Sequence, residues 1–248
     1  MNRRAYVIGI SLLGAFALTS CGSGGGLLKE TPPTYKYRLS ATVDTPQGER
    51  QGHSVIAVWW RGANPVFGTQ GSAGFTVKGE AVAVDLPDNQ TLFVLLTRPG
   101  DQDWAAYNHE SVKLAEPEDS SRAAYMAKIA ADRGVHPLNR RRKVATEDSD
   151  NYPYFVRFKD INDPKSVEQV DPDNLAKSFG TGVKLKSLTV QMTDEPVTVG
   201  IEKRLGWLGT KDWKFADDAR DPKTGYLVPP INPTIANYLN DGDFWRKP

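Results

Sequence analysis

The sequence predicts a mainly β protein of the α+β class, with an antiparallel sheet or sandwich-like core, one packed helix and an irregular C-terminal segment. Three observations predict it. Between residues 35 and 193, apolar residues recur mostly with a period of two or in short unbroken runs. Clusters of Pro, Gly, Asp and Asn separate those segments. A helical period occurs between residues 119 and 134, and the last forty residues, rich in Pro, Asp and aromatics, have the character of an irregular wrap.

The elements follow in chain order. In "YKYRLSATV", Tyr35, Tyr37, Leu39, Ala41 and Val43 alternate with Lys36, Arg38, Ser40 and Thr42, the pattern of a strand with one wet face. "TPQG" at 45–48 supplies a turn, and "HSVIAVWW" at 53–60 is apolar on both faces, which predicts a central strand covered on both sides. Phe75 and Val77 lie on one phase and Val82, Val84 and Leu86 on the other, so a β-bulge is expected beside Gly79. "PDNQ" then turns the chain into "TLFVLL", a hairpin. Further strands are expected at 153–158 and 183–193, the latter changing phase near Ser187. The helix has Asp119 and Ser120 as caps, a narrow stripe of Ala123, Met126, Ala127 and Ala130, and a stop at Gly134 and Pro137.

The N-terminus has a different character. Arg3 and Arg4 precede an apolar stretch from Ala5 to Leu18, with small residues before Cys21, the only cysteine. This is the pattern of a secretory signal, and the stretch is shorter than the roughly twenty residues that span a bilayer. Leu18-Thr19-Ser20-Cys21 resembles the lipobox of bacterial lipoproteins. The resemblance implies cleavage before Cys21 and acylation of that residue, with several chains giving a stable anchor at about 0.8 kcal/mol per buried CH₂. Residues 1–20 are therefore expected to be a signal peptide, residues 21–34 a flexible tether of on the order of 20 Å, and residues 35–248 one mainly β domain. Gly22 and Ser23 follow the cysteine in place of the aspartate that resembles an inner-membrane retention signal. The expected location is thus the outer membrane, facing the periplasm.

Cleavage removes Arg3 and Arg4 from the 31 basic residues, leaving 29 against 30 acidic ones and a formal charge of −1. That balance argues against nucleic-acid binding. The basic run Arg140-Arg141-Arg142-Lys143 precedes Glu147, Asp148 and Asp150 and is expected to be a solvated loop. A lipidated Cys21 leaves no free thiol for disulfides or thiol catalysis.

The chemical motifs are incomplete. Ser149-Asp150-Asn151 and Lys223-Thr224-Gly225 match two motifs of penicillin-recognising serine enzymes, but the Ser-x-x-Lys that supplies nucleophile and amine does not occur. His53, His109 and His136 are widely separated, and His109-Glu110 falls short of the three or four ligands of a zinc site. Asp160, Asn162 and Asp163 begin like a calcium loop, but Pro164 interrupts it and a plain loop is expected. Glu80 and Asp85, five residues apart in a strand, point to opposite faces and do not flank one glycosidic bond. No metal and no cofactor is expected.

Trp59 and Trp60 are expected to fill core on the two faces of their strand. Trp104, Trp207 and Trp213 lie in charged, loop-like contexts and are the candidates for a surface recognition role. The polar segment at 163–180 is a second candidate surface, although Asp163-Pro164 and Asp171-Pro172 equally suit structural turns.

"GEAVAVDLPDNQTLFVLL" at 79–96, "RFKDINDPKSVEQVDPDNL" at 157–175 and "LTVQMTDEPVTVGIEKRLGWL" at 188–208 are similar to a recurring family of uncharacterised proteobacterial proteins, often secreted or lipid-anchored. The likeness covers most of residues 35–209 and implies a location, with no activity or site residue attached to it. The expectation is a lipid-anchored envelope protein with a non-enzymatic binding or accessory role, its partner the membrane and an envelope protein or glycan. The alternatives are an envelope hydrolase with a dispersed active site and a glycan-binding module.

Overall fold

The computed structural model describes residues 33–61, 74–112, 121–138, 140–144, 147–211, 213–217, 222–226, 229–230 and 232–247, with backbone alone at residues 61, 141–144 and 147–149. Cys21, the signal segment, most of the tether and the expected caps Asp119 and Ser120 lie outside the described residues.

Alternation places β1, Tyr35–Asp44, with Tyr35, Tyr37, Leu39, Ala41 and Val43 all buried on one face. The turn at Thr45–Gly48 closes through Gly48 N–H donating to Thr45 O at 3.0 Å. It leads into β2, Arg50–Arg61, which pairs with β1 on one side and with β3, Gly74–Glu80, on the other. As the apolar run predicts, Val55, Ile56, Ala57 and Val58 are all buried. Before the register with β3 begins at Ala57, Thr198 takes up the free edge of β2: its N–H donates to Val55 O at 3.1 Å and its Oγ1 accepts from Val55 N–H at 2.8 Å. Ser40 and Thr42 are also buried, so the outer face of β1 is less wet than its alternation suggests. Trp59 and Trp60 depart from expectation, because they sit at the end of β2 and are only half-buried.

The phase change near Gly79 is a change of sheet. Glu80 ends β3 in one sheet, and one residue later β4, Val82–Asp85, begins in another. A Cβ at Gly79 would stand 2.9 Å from Ile56 Cγ1, so glycine is what lets the chain cross this close to β2. The expected hairpin joins β4 to β5, Thr91–Val94. Asp88 (φ 58°) and Asn89 (φ 55°) are its two left-handed central residues, as a type I′ turn requires.

Helix α1 spans Arg122–Ala131, its Ser121 cap accepting from Ala124 N–H at 3.3 Å. Met126 and Ile129 carry the burial, while Ala123 and Ala127 of the expected stripe are exposed. The larger side chains fill more interior space and so set the rotation of the helix. The strands β6, Val135–Pro137, β7, Arg141–Val144, β8, Glu147–Asp150, β9, Phe155–Phe158, and β10, Val167–Gln169, follow. Short helix α2, Ala176–Phe179, precedes β11, Lys184–Met192, whose register against β1 shifts between Ser187 and Leu185, where the sequence changes phase. Short helix α3, Ile201–Arg204, and β12, Trp245–Arg246, complete the set.

The sheets are antiparallel throughout: a six-stranded sheet ordered β12-β3-β2-β1-β11-β6, a four-stranded sheet ordered β10-β9-β5-β4, and a β7-β8 ribbon. Two apolar clusters hold them. Tyr37, Leu39 and Ile56 of the larger sheet share the first with Val82, Leu92, Val94 and the α1 residues Met126 and Ile129. On the other face of the smaller sheet, Phe93 and Val156 share the second with Leu205, Phe215, Ile235 and Phe244 of the C-terminal segment. The C-terminal wrap is thus a third layer, mostly turns, packed on the smaller sheet.

Candidate functional site

Two of the three candidate surface tryptophans are interior. Trp104 begins a 3₁₀ turn, is 1% exposed, and donates its Nε1–H to Asn151 O at 2.8 Å. Trp207 is 8% exposed and donates its Nε1–H to Ile161 O at 2.9 Å. With ring and N–H both satisfied internally, neither is a surface platform. Trp213 is half-buried, and its indole N–H has no hydrogen-bond partner among the described residues. Its ring centroid lies 4.7 Å from that of Trp207 and 4.8 Å from that of Phe215, so packing fixes its orientation.

Trp213 lines a cleft of about 460 Å³ within the C-terminal wrap. Buried Phe215 and Leu239 form its apolar part, and exposed Asn237, Asn240 and Asp241 its polar part. Each asparagine is held by its turn: Asn237 Oδ1 accepts from Thr234 N–H at 2.9 Å, and Asn240 Oδ1 from Gly242 N–H at 2.8 Å. A second cleft of about 630 Å³ lies across the 3₁₀ turn Ile235–Asn237, lined by Arg157, Lys159, Lys165 and Glu168 among others. Three of its four cations are ion-paired, Arg157 and Lys159 with Glu168 and Lys165 with Asp217, while Lys177 has no ion pair among the described residues. Lys159 and Arg157 hold the Glu168 carboxyl below the usual carboxylate range, the Lys159 hydrogen bond contributing most. A third cleft of about 560 Å³, with Arg140, Tyr152 and Tyr154, shares Gln169 and Asp171 with the second. The clefts thus adjoin in a row along β9, β10 and the wrap. The polar segment at 163–180 supplies part of this row, and it also carries β10 and the buried Val167, Val170, Leu175 and Phe179.

The remaining motifs are taken up by the fold. The basic run is not a loop: Arg141–Val144 forms β7, paired with the acidic strand β8, and Arg140 pairs with Asp150 at 3.1 Å. In the calcium-like stretch, Asp160 Oδ1 accepts from Asn162 N–H and Asp163 Oδ1 from Lys165 N–H, both at 2.9 Å, as in plain turns. His109 is buried with Nδ1 3.0 Å from Tyr35 Oη, and His136 Nε2 lies 2.8 Å from Asp132 Oδ1. No group of three or more His, Cys, Asp or Glu among the described residues is placed to hold a metal. The Ser149 side chain lies outside the description, Asp150 serves Arg140, and Lys223–Gly225 lies in a turn of the wrap.

Among the described residues two carboxyl groups are buried. Glu80 accepts from Gly200 N–H at 2.6 Å and Ile201 N–H at 3.0 Å, holding the start of α3, while Asp85 pairs with Arg204 at its end. Asp243, 0% exposed, accepts from Thr97 Oγ1 at 2.5 Å and from Asn240 N–H at 2.6 Å. Desolvation raises both pKa values, against the lowering effect of these hydrogen bonds. Neither group lines any of the three clefts.

Asn237 and Asn240 were not singled out by sequence reading. A signal existed in the polar pairs spaced by three, Thr234 with Asn237 and Asn240 with Asp243, which form reciprocal capping arrangements here. Compared with family models, curated proteins and solved structures, the chain matches none.

Proposed function

We propose that this protein is a lipid-anchored, extracytoplasmic binding or accessory protein, tethered through Cys21 and presenting its row of clefts to an envelope component. The observation that carries the reading is that row, in which side chains from β9, β10 and the C-terminal wrap converge on three adjoining concavities. The lipobox-like Leu18-Thr19-Ser20-Cys21 supports the anchor. Both raised carboxyls are spent on backbone and Thr97 donors, so the hydrolase alternative gains no support from them.

The test is made in intact cells with the full-length tagged chain. A photo-cross-linking residue replaces Gln169, which is exposed and lines two clefts, and the control position is Val135, 61% exposed on β6. The expected result is one reproducible envelope product at position 169 that is missing at 135. In parallel, Cys21→Ala should move the protein from the detergent phase to the aqueous phase. Equal cross-linking at both positions, or unchanged partitioning, overturns the corresponding half of the reading.

A further inference from the structure

We infer that the Trp213 cleft is a binding site for a neutral oligosaccharide, an inference that rests on reading the row of clefts as a recognition face. A sugar ring has an apolar C–H face and a rim of hydroxyls, so a site for it needs an aromatic surface beside fixed donors and acceptors. Trp213 supplies the surface, half-buried and held by Trp207 and Phe215 at centroid distances of 4.7 and 4.8 Å. Its N–H has no partner among the described residues, unlike those of Trp104 and Trp207.

The donors are the carboxamides of Asn237 and Asn240. Their Oδ1 atoms are occupied by Thr234 N–H and Gly242 N–H, which orients each amide and leaves its NH₂ group without a protein partner among the described residues. Asp241 Oδ1 accepts from Gly242 N–H at 2.9 Å, leaving Oδ2 to accept from a hydroxyl. Two oriented amide donors and one carboxylate beside an indole match the edge of a sugar with vicinal hydroxyls.

Charge and backbone narrow the ligand. Lys214 is already engaged within the protein, and Asp217 is paired with Lys165 at 2.6 Å, so among the described residues the cleft offers no spare cation for an anionic ligand. Its described lining residues lie in turns and loops and present no strand edge along which an extended peptide could form a ladder. The volume of about 460 Å³ falls in the range of small-ligand sites and suits a short oligosaccharide.

The experiment uses the full chain in a detergent without a sugar headgroup, titrated with triacetylchitotriose, cellotriose and maltotriose and followed by tryptophan fluorescence and calorimetry. At least one sugar is expected to bind saturably with Kd below about 1 mM. Trp213→Ala should weaken it by at least about tenfold. Asn237→Asp and Asn240→Asp keep the acceptor that the turn uses and replace the NH₂ donor, so each should weaken binding without changing the melting temperature. Trp60→Phe should leave binding unchanged. No saturable binding to any of the three, or binding that survives Trp213→Ala, overturns the inference. If the sugars fail while cross-linking at position 169 still yields its envelope product, the saccharide falls and the recognition face stands. If both fail, both fall.

Discussion

Replacing Gly52 by alanine tests the way the two sheets meet. Gly52 lies in β2, and a Cβ there would stand 2.1 Å from Ala83 O, 2.8 Å from Ala83 C and 3.1 Å from Val84 Cγ2. The nearest atoms are backbone of β4, which cannot rotate aside, and ordinary contact begins at 3.4 Å. One sheet must therefore retreat by about 1.3 Å, the shortfall in that distance. The movement would open a seam along Ile56, Val82 and Val84, all 0% exposed. A gap of about 0.5–1 Å already forfeits a quarter to a half of each dispersion contact, and overpacking a core costs about 1–3 kcal/mol, occasionally more. Gly52→Ala should reach the upper end, about 3 kcal/mol, which lowers a urea midpoint by at least about 1 M at m values of about 1–3 kcal/mol per M. Gly48→Ala is the matched control: nothing lies within 4 Å of its added Cβ, and φ is +105°. It should cost only backbone strain, about 1–2 kcal/mol. If Gly52→Ala costs no more than Gly48→Ala, the sheets do not meet as closely as described and the reasoning fails.

Two further predictions concern buried polar groups. Glu80 and Asp243 have pKa values raised by burial, so the stability linked to their protonation is fully present below their unfolded values and is lost as pH rises through the folded ones. Glu168 and Asp132 are lowered, chiefly by hydrogen bonds from Lys159 and His136, and their contribution is lost only as pH falls through their folded values. The melting temperature should therefore rise on acidification from about pH 8 to about pH 5 and drop below about pH 4, and Glu80→Gln should flatten the first limb. A steady decline from pH 8 to 5 by differential scanning fluorimetry would contradict this. Ser54 Oγ is 0% exposed and has no hydrogen-bond partner among the described residues, so Ser54→Ala should be neutral or stabilising by up to about 1–2 kcal/mol in urea unfolding, and a clear loss of stability would contradict this.

What could be read of the fold in advance follows from how local its causes are. Alternation in Tyr35–Val43, the Pro87–Gln90 turn and the phase change at Ser187 are properties of a few adjacent residues, and each has its counterpart in β1, the β4–β5 hairpin and the β11 register shift. Gly79 was legible as a break but not as a change of sheet, because a bulge and a crossing both reverse which face is apolar. What separates them is Phe244 O accepting from Ala81 N–H at 2.7 Å, a contact across 163 residues of chain. The basic run was misread for a related reason. Charge alone suggested solvent, whereas the acidic residues a few positions on supplied a strand to pair with it.

The candidate site shows the same limit more sharply. Trp104, Trp207 and Trp213 all have charged or turn-forming neighbours, and nothing within a few residues distinguishes them. Their fates differ because burying an indole requires a carbonyl for its N–H. For Trp104 that carbonyl belongs to Asn151 and for Trp207 to Ile161, each more than forty residues away, so only the assembled chain can provide it. Trp213 packs against Trp207, which has its own carbonyl partner, and is the half-buried member of the pair. Its half-exposure is thus a consequence of the packing beneath it, as the buried Phe215 and Leu239 next to it also indicate. That origin separates the cleft from the other two. Its platform is set by the aromatic interior of the third layer, although Asp217 in its lining pairs with Lys165, whereas the clefts at Arg157 and Arg140 place ion pairs at their centre of charge, where their geometry responds to salt. Recognition at Trp213 should accordingly be the least sensitive of the three to ionic strength, as a stacking interaction with a neutral ring requires.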